Sequence, residues 1–302
     1  MKRQRPTPFL FLCGAVLIWF LADTVRTRDA ASDALRLCAS SVIPALFPFL
    51  VVTGLLMSFG FGAWASPILA PLMTGLFRLP GTAGSALLLG FLGGYPVGAR
   101  TAAELYRLGL LTRDESERLL MFCNNANPAF LISVLGVGVF DSIRAGVWLL
   151  LIHIASAVLT GFLFRNRTAP RPSELPTPSE PPTAFFPAFV QSVTDAAFAM
   201  LRVCAFVVFF SVLIRPLKTW THPAAAPLVG TLELFSLTPM LSRDASGFVL
   251  ASVCAGWGGV SALGQTAAVL DGSGLSIRPC VAGKAVQAAL SGLLALLAVR
   301  IL

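Results

Sequence analysis

GGYPVGARTAAELYRLGL, Gly93 to Leu110, recurs as GGVSALGQTAAVLDGSGL, Gly258 to Leu275. At a constant offset of 165, Gly93, Gly94, Thr101, Ala102, Ala103, Leu105, Gly109 and Leu110 each meet an identical residue. Upstream, Leu35 to Ala39 (LRLCA) pairs with Leu201 to Ala205 (LRVCA) at an offset of 166. Glycine-broken apolar segments at matching places in two halves of a chain are the pattern of a secondary transporter.

The composition around this repeat excludes a soluble fold. Of 302 residues, 56% are hydrophobic and 12% charged, and the mean hydropathy is +0.81. A soluble domain carries roughly 25% charged residues, because its surface needs them. The chain is therefore an all-α polytopic membrane protein. The formal net charge of +8 follows the positive-inside pattern of basic residues flanking cytoplasmic ends of spans. No basic stripe interleaved with aromatics points to nucleic acid. The six cysteines are scattered, with no CxxC pair, and His153 and His222 stand far apart, so neither a metal nor another cofactor is expected.

A span needs about 20 apolar residues. Phe9 to Asp23 reads as an uncleaved first span, which with its loop makes a segment of residues 1–33. A first repeat follows over 34–164. It contains a span from Val42 to Phe59, a shorter piece from Trp64 to Phe77, and Ala83 to Leu110, which reads as a glycine-broken re-entrant hairpin. Thr112 followed by Asp114 and Glu115 reads as a helix start. That helix runs into Asn124-Asn125-Ala126-Asn127-Pro128, and Ile143 to Phe164 is a further span. Residues 165–184, rich in proline, form a cytoplasmic linker. The second repeat, 185–302, holds Phe189 to Leu213, Ala224 to Leu237, the broken segment Phe248 to Leu270 and a last helix from Val281.

Arginine and lysine placement sets orientation. Lys2, Arg3 and Arg5 put the N-terminus inside, Arg165, Arg167 and Arg171 the linker, and Arg100, Arg107, Arg113 and Arg118 the mouth of the first hairpin. Equivalent segments then enter from opposite sides. The expected architecture is two inverted repeats, each with a glycine-broken re-entrant hairpin and an interrupted helix, around a site at mid-depth.

Backbone breaks in hydrocarbon are tolerated only where protein or a water-filled cavity surrounds them. Exposed helix ends at such breaks can hold an anion. The expected solute contacts are Gly93, Gly94, Tyr95, Pro96 and Arg100 at the first break, and Gly258, Gly259, Ser261 and Gln265 at the second. Asn124, Asn125 and Asn127 beside Pro128 add amide groups that are costly in an apolar helix unless partnered, and Pro128 frees a carbonyl one turn back. The alternative for the glycines is close helix packing, and for the asparagines an interhelical hydrogen-bond cluster without a ligand. Lys284 and Gln287 share a face of the last helix and are expected to line the cavity. Glu233, in an apolar stretch, is a candidate proton-coupling carboxylate.

The runs SSVIPALFPFLV, GGYPVGARTAAELYRLGLLTRDESERLLMFCNNANPAF and GGVSALGQ with a downstream lysine resemble the YlbJ-type sporulation integral membrane proteins. These belong to a wider group with nucleoside-recognition or gate domains, similar to concentrative nucleoside transporters. The resemblance covers the chain from about Leu35 onward. It implies a protein of a spore-former's cell membrane, the mother-cell-derived outer forespore membrane, that moves dipicolinic acid. Gly264 before Gln265 departs from the family pattern.

The residues themselves lead to a carrier of a small polar or anionic solute in a lipid bilayer, with self-association into a homo-oligomer left open. A nucleoside-type carrier and a non-transporting structural membrane protein are the alternatives. An enzyme is not expected: the chain lacks a Ser/His/Asp set, an HExxH motif and paired carboxylates.

Overall fold

The computed structural model describes residues 8–165, 184–218 and 225–301. Lys2, Arg3 and Arg5, the linker residues 166–183 and His222 lie outside the described residues. All elements among the described residues are helices: α1 (Pro8–Ala22), α2 (Thr24–Leu37), α3 (Ile43–Ser58), α4 (Phe61–Leu72), α5 (Ala83–Gly93), α6 (Val97–Arg107), α7 (Arg113–Leu120), α8 (Ile143–Leu163), α9 (Phe185–Leu213), α10 (Arg215–Lys218), α11 (Ala225–Leu232), α12 (Leu234–Leu237), α13 (Ala245–Trp257), α14 (Gly259–Leu270) and α15 (Arg278–Ala298). Wider π-helical turns occupy Cys38–Val42, Met73–Phe77 and Phe130–Val139, and a 3-10 turn Thr238–Met240. Among the described residues, five helical stretches are long and apolar enough to cross a membrane: Thr24–Ser58, Ile143–Leu163, Phe185–Leu213, Ala245–Leu270 and Arg278–Ala298. The protein is an integral membrane protein.

The first of these corrects the sequence reading. Residues 24–33, read as the loop after the first span, are helical and continue through the π-turn into α3. Ala30 and Ala34 are buried while Arg26, Arg28 and Asp33 are exposed, so the segment is amphipathic rather than unstructured. The start of α7 is as expected: the Thr112 side chain accepts from Glu115 N, and the Glu115 carboxylate accepts from Thr112 N, a reciprocal cap.

Packing directions follow from contacts. α2 and α3 run antiparallel to α9, because Arg26 meets Arg215, Gly54 meets Ser192 and Phe59 stacks on Phe185. Cys38 and Cys204, both buried, neighbour each other near the middle of this pair. α5 and α6 fold back on each other at Gly90 and Gly98; a Cβ built at Gly90 would lie 3.2 Å from the Gly98 Cα. Phe130–Val139 runs antiparallel to α8, with Gly136 against Gly146, the close backbone approach that small residues permit. α13 runs antiparallel to α15, with Ser252 Oγ donating to the Ser291 carbonyl (3.2 Å) and Gly256 against Gln287 and Ala288.

The second glycine motif behaves differently from the first. α13 and α14 do not pack side by side, so Gly258 and Gly259 do not turn a hairpin. The start of α13 packs at Phe140 through Phe248, and the end of α14 lies beside Arg100 and Arg107. The two helices thus cross the molecule end to end, with Gly258 and Gly259 both at positive φ at the joint. The physical reason is what each helix packs on: α13 on α15, and α14 on α6 and α9. The helices that fold back in the second half are α11 and α12, with Glu233 at the bend. The last helix has no counterpart of the Asn124–Pro128 interruption, since α15 is continuous.

Two apolar clusters result. One gathers Cys38, Val42, Phe130, Leu135, Leu237, Phe248 and Ala298; the other gathers Phe77, Ala99, Leu105, Leu120, Leu270 and Cys280. Buried polar side chains sit where these clusters meet: Asn124, Asn125, Asn127, His153, Ser156, Gln265, Thr266, Lys284, Gln287 and Ser291.

Candidate functional site

The break after α7 opens this polar layer. α7 ends at Leu120, and 124–127 has no regular structure before the next helical turn begins at Pro128. Its backbone groups and amides find partners across the molecule. Asn124 Nδ2 donates to Thr266 Oγ1 (2.7 Å). Asn125 Nδ2 donates to the Phe122 carbonyl (2.8 Å), and its Oδ1 accepts from Gln287 Nε2 (3.0 Å). Asn127 Oδ1 accepts from Phe130 N (2.8 Å). The Ala126 amide donates to His153 Nε2 (3.1 Å), so the ring hydrogen belongs on Nδ1, which is buried without a partner.

Beside the break lies a cavity of about 60 Å³, lined by Leu46, Gly94, Tyr95, Ala126, Asn127, Phe130, Val203, Val207, Glu233, Leu234, Phe235, Gly258, Ser261, Ala262 and Gln265. At roughly 30 Å³ per water it holds about two waters. Gln265 Oε1 is buried here with no partner. α6 and α14 both begin at the cavity, turning amide-rich, partially positive helix ends toward it. Gly94 (φ 75) and Gly258 (φ 86) stand in the left-handed region that a Cβ disfavours. A Cβ at Gly258 would also meet the Tyr95 hydroxyl at 2.5 Å. Glu233 caps α12, its carboxylate accepting from Phe235 N (3.0 Å) and Ser236 N (2.5 Å).

Of the expected contacts, the structure brings Gly94, Tyr95, Asn127, Gly258, Ser261 and Gln265 together around this cavity. Gly93 lies beneath it against Val97, Pro96 is the N-cap of α6, and Gly259 faces Leu232 and Glu233. Pro128 only begins the next helical turn. Asn124 donates to Thr266 while its Oδ1 is buried without a partner, and Asn125 is bonded to Phe122 and Gln287; neither lines the cavity. Arg100 is exposed and lines a separate cleft with Arg107, away from the cavity. Lys284 is fully buried, and its Nζ donates to Gln287 Oε1 (2.8 Å) and sits 5.0 Å from the Tyr95 ring centroid. The Tyr95 ring thus stands between the ammonium and the cavity, a cation–π arrangement. Sequence reasoning missed His153 and Thr266. A lone histidine and a threonine in apolar helices carry no local signal; only the fold brings them to the asparagines.

Two larger clefts flank the cavity. One, of about 460 Å³, is lined by Arg100, Arg107, Arg202, Val269 and Asp271 among others. The other, of about 640 Å³, is lined by Ser40, Ser41, Ser133, Val139, Thr238 and Arg243 among others. Arg243 precedes α13 and Asp271 follows α14, so the clefts open at opposite ends of one crossing stretch.

Residues 39–145 match the family described as Gate, nucleoside recognition, a stretch that includes the α5–α6 pair and the Asn124–Pro128 break. The class is an integral membrane protein with a Gate-type segment in its first half. The particular relative is the sporulation integral membrane protein YlbJ of Bacillus subtilis (strain 168), to which this chain is 29% identical over 254 residues. The match covers 77% of this chain and 61% of that protein, so the chain spans about three fifths of the relative's length. The resemblance carried by GYPVGA and NNANPAF therefore holds. No solved structure matches the chain.

Proposed function

We propose that the protein is a carrier for a small anionic solute, closed on both sides in this conformation. The observation that carries the reading is the polar cavity between two clefts at opposite ends of the same helices. Ligand sites commonly measure about 300–1,000 Å³, so a cavity of about 60 Å³ has to widen toward one cleft to admit a solute. One layer closes each route: Leu46, Phe130 and Phe235 toward Arg243, and Val203 and Gln265 toward Arg202.

For alternating access we infer an inverted repeat in a register other than the sequence offset, from the packing directions of the helices. α2–α3 opposes α9. The α5–α6 pair enters from the end that carries Arg107, and α11–α12 from the end that carries Arg243. The α7 crossing, continued through Val139, runs counter to α13–α14, and α8 runs counter to α15. In this pairing Gly94 corresponds to Glu233, and the Asn124–Pro128 break to Gly258–Gly259. Both folded-back pairs are then re-entrant hairpins meeting at mid-depth. The pairing predicts that oxidation joins Cys38 to Cys204. With a protease site placed at Pro176, the cut halves should stay together on a denaturing gel until reduced. Separation of the halves without reductant, after confirmed oxidation of the exposed Cys13, would refute the α2–α9 pairing.

Helix N-termini at α6 and α14 and the amides of Asn127 and Gln265 suit a carboxylate. The dipicolinate implied by the resemblance is such a solute; the relative's name, a sporulation integral membrane protein, supports a place in a membrane during sporulation, and the resemblance implies the outer forespore membrane. Purified protein in liposomes should take up dipicolinate saturably, with uridine competing poorly. Uridine competition without dipicolinate uptake would make it a nucleoside carrier, as the Gate description suggests. Folded protein that moves neither would make it a scaffold, a reading that the small cavity favours. Gln265→Ala should lower transport about tenfold or more, the worth of one charge-assisted hydrogen bond, with no change in melting temperature. Asn125→Ala should instead lower stability, because Gln287 loses a buried partner.

A further inference from the structure

We propose that the cleft beside Arg100 and Arg202 is a second oxyanion site, a vestibule where a carboxylate or phosphate docks on its way to or from the central cavity. The oxyanion site stands on its own geometry; the vestibule role rests on the carrier reading. Arg202 lies well inside the 29-residue α9, between Leu201 and Val203. An arginine at such a place in an apolar span is costly and marks a solute path or water-filled cavity. Here the space is the cleft of about 460 Å³. Arg100 reaches the same space from α6 and Arg107 from about two helical turns beyond. Arg107 is paired with Glu104. Asp271 is the carboxylate in the lining. Among the described residues, neither Arg100 nor Arg202 makes an ion pair. Two guanidiniums from different helices, facing one aspartate across an open space, suit a planar oxyanion taken up in bidentate fashion.

The cleft also adjoins the central site. On α14, Gln265 lines the cavity and Ala268 and Val269 line the cleft, a separation of about one helical turn, ~5 Å. On α9, Val203 lines the cavity and its neighbour Arg202 the cleft. An anion on Arg202 therefore waits one side-chain layer from Gln265.

The test uses the full chain in nanodiscs of phosphatidylcholine, with or without phosphatidylglycerol, and compares the wild type with Arg100→Gln/Arg202→Gln. Both arginines are exposed, so folding should survive, and Arg100→Lys/Arg202→Lys controls for charge alone. Dipicolinate binding is measured at several salt concentrations, in the native background and in Gln265→Ala. The double glutamine variant should weaken binding about tenfold and flatten its salt dependence in both backgrounds, as removal of rim charges does. Asp271→Asn should tighten it. Retention of phosphatidylglycerol by the wild type and its loss from the variant, with dipicolinate binding unchanged, would keep the oxyanion site but overturn the vestibule in favour of a lipid headgroup. Equal binding of both probes by wild type and variant would overturn the site altogether. A wild type that binds dipicolinate through these arginines yet moves none across a liposome would leave the site standing and sink the carrier reading.

Discussion

Gly98→Ala should abolish most of the folded protein. An added Cβ would lie 2.1 Å from the Cys123 carbonyl oxygen and 3.0 Å from the Gly90 Cα, both backbone atoms that cannot swing aside. Gly90→Ala should do the same, with its Cβ 1.6 Å from that carbonyl. Overpacking costs about 1–3 kcal/mol where neighbours can adjust; here adjustment means separating α5 from α6 and both from the break after α7, so about 3 kcal/mol is a lower limit. Gly75→Ala is the control, since nothing lies within 4 Å of its added Cβ. Yield and melting temperature, read by fluorescence-detected size exclusion, should fall sharply for the first two and stay level for the third. Normal melting of Gly98→Ala would mean that the α5–α6 pair does not pack in this way.

Glu233→Gln should uncouple transport from a proton gradient. Glu233 lines the cavity that we assign to an anion, and its carboxylate also holds the two amides that start α12. Two like charges in one small cavity repel, so the anion is expected to enter together with a proton on Glu233. Glutamine is neutral at every pH and can still accept one of the two amide hydrogens. Gradient-driven uptake of dipicolinate should therefore fall about tenfold or more, while exchange of solute at equal pH on both sides continues. If gradient-driven uptake in the glutamine variant matches the wild type, Glu233 carries no proton.

Much of this fold can be read from residue order. The Thr112–Glu115 cap, the break at Gly93 to Pro96, and the span from Ile143 each follow from local chemistry: a hydroxyl three residues before a carboxylate, a glycine pair beside a proline, an uninterrupted apolar run. The identity of the second hairpin does not. Gly258 and Gly259 copy Gly93 and Gly94 residue for residue, yet they join two helices end to end, because a glycine pair permits a backbone break without specifying the angle of the turn. Packing decides that: α5 offers Gly90 to Gly98 of α6, whereas α13 offers Gly256 to α15. The real bend at Glu233 has no glycine in the bend itself; the carboxylate ends one helix and caps the next. For the site, the residues next to the breaks were legible, and Gln265, Ser261 and Asn127 do reach the cavity. Arg100 and Lys284 could not be placed, since whether a long side chain faces a cavity or its neighbour depends on helix rotation that spacing alone leaves open.

The chain contains two tyrosines. One, Tyr95, separates the buried Lys284 from the cavity; the other, Tyr106, lies near the end of α6. A sample labelled with carbon-13 at tyrosine alone would thus carry a two-residue spectrum, with one ring at the cavity and the other serving as an internal reference. Ring-flip rates and chemical shifts at Tyr95 would then report the electrostatic environment of the cavity in an otherwise silent protein, without any introduced probe.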